Sequence, residues 1–287
     1  MRKIGKFSSL LFVLVACKSP APPEPGSTQP TPEPEPAKTA EPAPAASAPA
    51  PAASAEPYGS AAASAPPASA AASAAPTPRA PVPPGHRQVD AKPVAEVRVS
   101  PDDPAQGKFT LEDATKGLSG KGALVAEIRT SLGKLRCELY EDRAPITVAN
   151  FVGLARGLRP FKNPKGEWSK SPAYDGTTFH RVIKGFMIQG GDPAGTGGGE
   201  PGYVIPDEVW QDAYHSERGL ICMANRGPNT NGMQFFIMDG VAKHLDGGYT
   251  IFGKCAPEDV ILKLSGVEVQ GDRSVKPTKI NKVVIKR

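Results

Sequence analysis

The sequence predicts a mainly β domain, a closed barrel or a sandwich, carried behind a long non-globular arm. Three observations predict it. Beyond Gly122 apolar and polar residues alternate in short runs separated by Gly, Asn and Pro turns, the pattern of many short half-buried strands. Helical spacing is sustained chiefly in one stretch, after Pro145. The prolines are also unevenly placed: of 33, 20 fall between Pro20 and Pro84, leaving 13 for the rest. A stretch such as 47–73 is nearly all Ala, Pro and Ser. It has too few large apolar side chains to offset the entropy of ordering it. Length alone would admit two domains, but composition leaves one.

Taken in order, residues 1–16 read as an export signal: Arg2, Lys3 and Lys6 precede an apolar run from Leu10 to Ala16. That run is too short to span a bilayer, which takes about 20 apolar residues. Its ending, Leu14-Val15-Ala16-Cys17, resembles the lipobox of bacterial lipoproteins. The resemblance implies lipidation of Cys17 and cleavage before it; several acyl chains together give firm anchoring where one does not. Residues 17–84 form a Pro/Ala/Ser-rich disordered tether, a semi-rigid spacer that could reach roughly 200 Å if fully extended at about 3.1 Å per residue. Residues 85–121 are less biased, carry a short helix expected over 111–116, and form a transition segment.

The folded domain is expected over 122–287. Leu124, Ala126 and Ile128 share one strand face, with Glu127 and Arg129 on the other. After the turn at Ser131-Leu132-Gly133, Leu135, Cys137 and Leu139 alternate with Lys134, Arg136 and Glu138, completing a hairpin. Pro145 opens a helix, with Val148, Phe151, Val152 and Ala155 at helical spacing and Gly157 as its stop. Strands follow at 177–183, 185–189, 220–224, 234–238, 250–253 and 282–285.

Charge and cysteines narrow the function classes. The net +5 divides into +3 in the first six residues, −2 over 18–84 and +4 over 85–287. No concentrated basic stripe of the kind nucleic-acid binding needs is present, so no nucleic acid is expected as a partner. With Cys17 lipidated, Cys137, Cys222 and Cys255 remain; three is odd, so at least one thiol is free or intermolecular. Cys137 reads as a buried small hydrophobe, and no disulfide is expected.

Familiar catalytic patterns fail. Gly197-Gly198-Gly199-Glu200-Pro201-Gly202 has G-x-G-x-x-G spacing but contains Pro and precedes no amphipathic helix; no phosphate-loop Gly-Lys-Ser/Thr occurs. His86, His180, His215 and His244 lack metal-like spacing, and no Ser or Cys sits in a nucleophile motif. An enzyme here would work with no metal, no cofactor and no covalent intermediate.

One stretch changes the reading. Phe179-His180-Arg181-Val182-Ile183-Lys184-Gly185-Phe186-Met187-Ile188-Gln189-Gly190-Gly191-Asp192 closely resembles the signature of cyclophilins, the peptidyl-prolyl isomerases. The segments Gly195–Gly198, Met223–Gly232, Gln234–Ile237, Leu245-Asp246-Gly247 and Phe252-Gly253-Lys254 continue it in the same order. The resemblance covers about 122–287 and implies a closed eight-stranded β-barrel capped by two helices.

Carried over residue by residue, it makes Arg181 the catalytic arginine. Phe186, Met187, Phe236 and Leu245 would line the pocket for a proline ring. Gln189, Asn225 and Gln234 would hold the substrate backbone, with Ala224 beside them. His244 stands where many eukaryotic members have Trp and Tyr249 where they have His; both complete the substrate-binding set. Arg226 replaces a commonly small residue, and the segment 159–174, with Trp168, is longer than in the shortest members. Strand alternation fits these roles: Gln234, Phe236 and Met238 share a face while Phe235 and Ile237 point the other way.

The expectation is therefore a prolyl isomerase, a monomeric domain lipid-anchored to the bacterial envelope. The outer membrane facing the periplasm is the expected site, since Lys18 rather than Asp follows the lipidated cysteine. Its partners would be proline-containing exported polypeptides and, through Cys17, the membrane. The alternative is a non-catalytic proline-peptide-binding or chaperone module, which would have no need to keep Arg181.

Overall fold

The computed structural model describes residues 79–287; the signal sequence, Cys17 and the tether up to residue 78 lie outside the described residues. In chain order the elements are α1 (Leu111–Thr115), β1 (Val125–Thr130), β2 (Gly133–Leu139), α2 (Pro145–Arg156), β3 (Phe161–Lys162), β4 (Trp168–Ser169), β5 (Thr178–Ile183), β6 (Met187–Gly190), β7 (Leu220–Met223), β8 (Phe235–Met238), β9 (Ile251–Ala256), α3 (Glu258–Ser265), β10 (Val269–Gln270) and β11 (Arg273–Lys286).

Eight of the strands close on themselves. The order runs β1-β2-β9-β7-β8-β6-β5-β11, and β11 returns to pair with β1, Val125 opposite Lys286 and Ile128 opposite Val283. All of these pairings are antiparallel. Closure removes the unpaired edges an open sheet would present. β10 adds a short hairpin arm on β11, and β3 and β4 form a separate two-stranded hairpin within the segment 159–174.

The expected alternation divides the interior in two. Ala126, Ile128, Leu135, Cys137 and Leu139 lie in one buried cluster with Phe235 and Ile237; Phe236 and Met238, from the same strand β8, lie in a second cluster with Met187 and Leu245. The first cluster centres on aromatic contacts. Phe151 of α2 stacks on Tyr174 at 5.1 Å and meets Phe235 edge-on at 5.5 Å, geometries that ring quadrupoles favour.

Helix α2 begins without a cap of its own, since Ala144 offers no side-chain acceptor. Glu208 supplies it from a distance: Oε1 accepts from the Ile146 amide at 3.0 Å and Oε2 from Thr147 at 2.7 Å. Two of the orphan N–H groups of the first turn are thereby satisfied. The helix ends as expected at Gly157, whose φ of 69° is left-handed and suits glycine.

Several expectations need correction. The strand expected at 282–285 is the end of the 14-residue β11; Pro277 and a run of basic residues hide its earlier part, and its pairing with β5 shifts register between Arg273 and Thr278. Helix α3, with Val260, Ile261 and Leu264 buried, is not among the elements that alternation singles out. The expectation of no disulfide is also overturned: Cys137 and Cys255 are bonded, and among the described residues Cys222 is the free thiol, buried. β2 and β9 are neighbours with Cys137 directly opposite Cys255. The alternation that buries Cys137 thus also aims it at its partner.

The segment before the barrel packs on it. Phe109, Leu111 and Leu118 lie against the main core, with α1 beside α2, and α1 is closed by a reciprocal capping box of Thr110 and Asp113. Asp103, buried, takes a two-pronged contact from Arg159 at 2.6 and 2.7 Å.

Candidate active site

Four barrel strands and the segments above them enclose a cleft of about 360 Å³. β5 contributes His180 and Arg181, β6 Met187 and Gln189, β8 Phe236 and β11 Arg273; the connecting segments add Thr196, Gly197, Ala224, Asn225, Leu245, Tyr249 and Asp272.

Polar side chains on one side form a directional chain. Arg181 and Gln189 are cross-strand partners. Arg181 Nε donates to Asp272 Oδ2 at 2.6 Å, and its Nη1 lies 3.5 Å from Gln189 Oε1. The arginine holds the Asp272 carboxyl below its ordinary pKa, so the pair stays charged. Gln189 Nε2 donates to Gln234 Oε1 at 3.0 Å, and Gln234 Nε2 donates to the Gly197 and Gly199 carbonyls at 3.0 and 2.9 Å.

Those carbonyls are fixed from beneath by Asp192, fully buried, whose carboxylate accepts from the Ala194, Thr196, Gly197 and Gly199 amides at 2.7 to 3.2 Å. Burial would raise the pKa of Asp192, but these amides together outweigh it and the net shift is downward. A β-carbon at Gly199 would stand 1.9 Å from Asp192 Oδ1, so the loop closes around the carboxylate only with glycine there.

The apolar wall is Met187, Phe236 and Leu245, all at most 5% exposed, with Tyr249 edge-on to Phe236 at 5.9 Å. Asn225 Nδ2 donates to the Gly248 carbonyl at 2.9 Å, joining the loop after β7 to the loop carrying Leu245 and Tyr249. Of the expected site residues, Arg181, Met187, Gln189, Ala224, Asn225, Phe236, Leu245 and Tyr249 line this cleft. Gln234 faces the adjoining hollow with Arg226 and Glu200. Phe186 and His244 lean on each other at 5.2 Å, beside the cleft rather than in its wall. Arg226 is ion-paired to Glu200 at the surface.

The expected set omits His180, Thr196, Gly197, Asp272 and Arg273. Asp272 lies 91 residues from Arg181, in the turn between β10 and β11, where nothing local marks it. His180 sits within the cyclophilin-like signature; both its ring nitrogens are buried and have no hydrogen-bond partner among the described residues. Burial lowers its pKa, Arg273 and Arg181 lower it further, and Asp192 opposes them.

The family model for "Cyclophilin type peptidyl-prolyl cis-trans isomerase/CLD" matches residues 125–285, the whole barrel. The chain belongs to the cyclophilin family of peptidyl-prolyl cis-trans isomerases. Among curated relatives, the chain is similar to a probable peptidyl-prolyl cis-trans isomerase A of Mycobacterium leprae, 44% identical over 165 residues, 56% of this chain and 91% of that one. A peptidyl-prolyl cis-trans isomerase B of Streptomyces anulatus is 48% identical over 136 residues, 47% of this chain and 78% of the relative. A solved Cryptosporidium parvum cyclophilin-type isomerase, crystallised in the presence of the dipeptide Ala-Pro, superposes with a TM-score of 0.50 at 32% identity, over 57% of this chain and 99% of that one. The expected eight-stranded cyclophilin barrel is thus present, and the chain is an isomerase of this type. The segments 79–124 are what this chain adds to the cyclophilin domain among its described residues.

Proposed function

We propose that Arg181 accelerates rotation about X-Pro bonds by stabilising the twisted transition state, in exported proteins, from a lipid-anchored position on the cell envelope. The observation that carries the catalytic part is Arg181 fixed by Asp272 at the edge of an apolar pocket made by Met187, Phe236 and Leu245.

The chemistry follows from the bond. Resonance sets a barrier of about 18–20 kcal/mol to peptide rotation. As the bond twists, that resonance is lost and the proline nitrogen becomes pyramidal and more basic. A fixed guanidinium N–H donates to it then, and finds a poor acceptor in the planar ground state. An interaction that strengthens only at the transition state lowers the barrier. Phe236, Met187 and Leu245 clamp the ring, and Gln189, Gln234 and Asn225 offer amide groups to the neighbouring backbone with Ala224 beside them. Phe186, His244 and Tyr249 flank the pocket. No metal or cofactor is called for.

Two features support the envelope location. The lipobox-like ending at Cys17 follows a basic and then an apolar run. The Cys137–Cys255 disulfide suits an oxidising compartment such as the periplasm and is uncommon in the cytosol. Uncatalysed prolyl isomerisation takes tens of seconds or more, slow enough to limit the folding of exported chains. Metabolic labelling with a fatty acid tests the anchor: the unmodified chain should take up label and fractionate with membranes, and Cys17→Ala should do neither. Label on the Cys17→Ala chain would contradict it.

A further inference from the structure

We propose that residues 79–92, which precede the cyclophilin domain, are a strap that positions the proline-pocket loop 243–249 and so sets substrate affinity. After a turn at Pro84-Gly85, closed by the His86 amide on the Pro83 carbonyl at 3.0 Å, residues 89–92 run against 209–212: the Lys92 amide donates to the Val209 carbonyl at 2.9 Å and the Asp212 amide to the Val89 carbonyl at 3.0 Å. Its start is pinned by Arg79, whose guanidinium reaches Asp90 at 2.7 Å and Asp212 at 3.2 Å.

From this fixed line two side chains reach the loop. His86 Nδ1 lies 2.5 Å from Asp246 Oδ2, and Lys92 Nζ donates to the Gly247 carbonyl at 2.5 Å. The next residue but one from Gly247 is Tyr249, and the one before Asp246 is Leu245; both line the cleft. Val89 is buried in the same apolar cluster as Met187, Phe236 and Leu245.

Asp246 is the clasp. Its Oδ2 faces the strap, while its Oδ1 accepts from the His215 amide at 2.8 Å and lies 3.1 Å from His215 Nδ1. The His86 and His215 side chains are at most 1% exposed and that of Asp246 is 8% exposed, so these contacts are shielded from water and resist screening. His86 also meets Tyr214 edge-on at 5.6 Å, which fixes its ring. With Asn225 holding Gly248 from the other side, the loop is held at three successive residues, two of them by the strap. None of these strap residues touches the cleft; they are positioning residues that act through Leu245 and Tyr249. The strap lies outside the 125–285 span matched by the family, so this control of the pocket is a property of this chain's own extension.

The inference rests on the isomerase reading of the cleft, and the test separates the two. In the full chain, a His86→Ala/Lys92→Ala double variant is assayed for turnover of a cis-proline tetrapeptide. KM should rise about five-fold with kcat within about two-fold, as expected when hydrogen bonds that order a binding wall are lost. The Leu245 methyl and Tyr249 ring NMR signals should broaden or shift while those of Phe151 and Ile188 stay in place. His86→Asn, which keeps an N–H donor near the Nδ1 position, should restore most of the affinity. Should the double variant not fold, Lys92→Met alone should still raise KM about two-fold. A folded variant with unchanged KM and unchanged loop signals, beside an active unmodified chain, overturns the strap alone. An unmodified chain with no turnover overturns both readings.

Discussion

Arg181 Nε and Asp272 Oδ2 are 2.6 Å apart, and this one contact turns a strand arginine into an oriented one. With Nε engaged behind, the Nη end is left toward Gln189 and the cleft. Both side chains are more than a third exposed, so the pair adds at most about 1 kcal/mol to stability after solvent screening. Its effect is on geometry. Asp272→Ala should lower kcat/KM about ten-fold with a near-unchanged unfolding midpoint, since a small misplacement of a catalytic group weakens what it does at the transition state. Peptide turnover beside a thermal melt reads both; full activity without the carboxylate would show that Arg181 needs no such guide.

The buried histidines should give stability a pH dependence whose sign follows from their burial. Burial lowers the pKa of His180 and, against the pull of Asp246, that of His215. Between those lowered values and the ordinary histidine value near 6.5, the unfolded chain binds protons that the folded one does not. Their contribution is therefore fully present above about pH 6.5 and is lost as pH falls through the folded pKa values. The melting temperature at pH 7.5 should exceed that at pH 5.5, and His180→Gln should narrow the gap. A gap that does not change on removing His180 would exclude it as a source.

The Cys137–Cys255 bond closes a loop of 118 residues between adjacent strands. Reduction should cost about 2–4 kcal/mol of unfolding free energy, read by urea denaturation with and without dithiothreitol. Unfolded without reductant, the barrel should offer only the Cys222 thiol to a thiol reagent; three titrating thiols would contradict the pairing.

Glu208 holds the first turn of α2 from 61 residues away. Glu208→Ala should destabilise the fold by about 1–3 kcal/mol, the cost of leaving buried amides unpaired. Glu208→Gln, which keeps one carbonyl oxygen, should cost less. Equal melts for the two variants would show that the amides find other partners.

Much of the site was legible because it lies on strands with strict alternation. Phe236 and Met238 face one cluster and Phe235 and Ile237 the other, as their spacing requires, and the residues from Phe179 to Asp192 carry the family's signature in one unbroken run. What stayed hidden depends on long-range contact. Asp272 acquires meaning only when β11 folds back on β5. Cys137 and Cys255 pair because β2 and β9 are neighbours, which spacing alone does not fix. The segment 85–121 lacks both periodicities, yet Asp103 and His86 are buried parts of the fold through partners 56 and 160 residues away. Phe186 and His244, named by resemblance, stand beside the cleft, a distinction no local pattern carries.

The most direct test of the account is kcat/KM for a cis-proline peptide with the full chain and with Arg181→Ala, each checked by thermal melting. The account predicts a fall of about 10²–10³-fold, the usual loss when a fixed transition-state donor is removed, with the melt displaced little. An Arg181→Ala chain that melts normally and turns over peptide at the unmodified rate would contradict it.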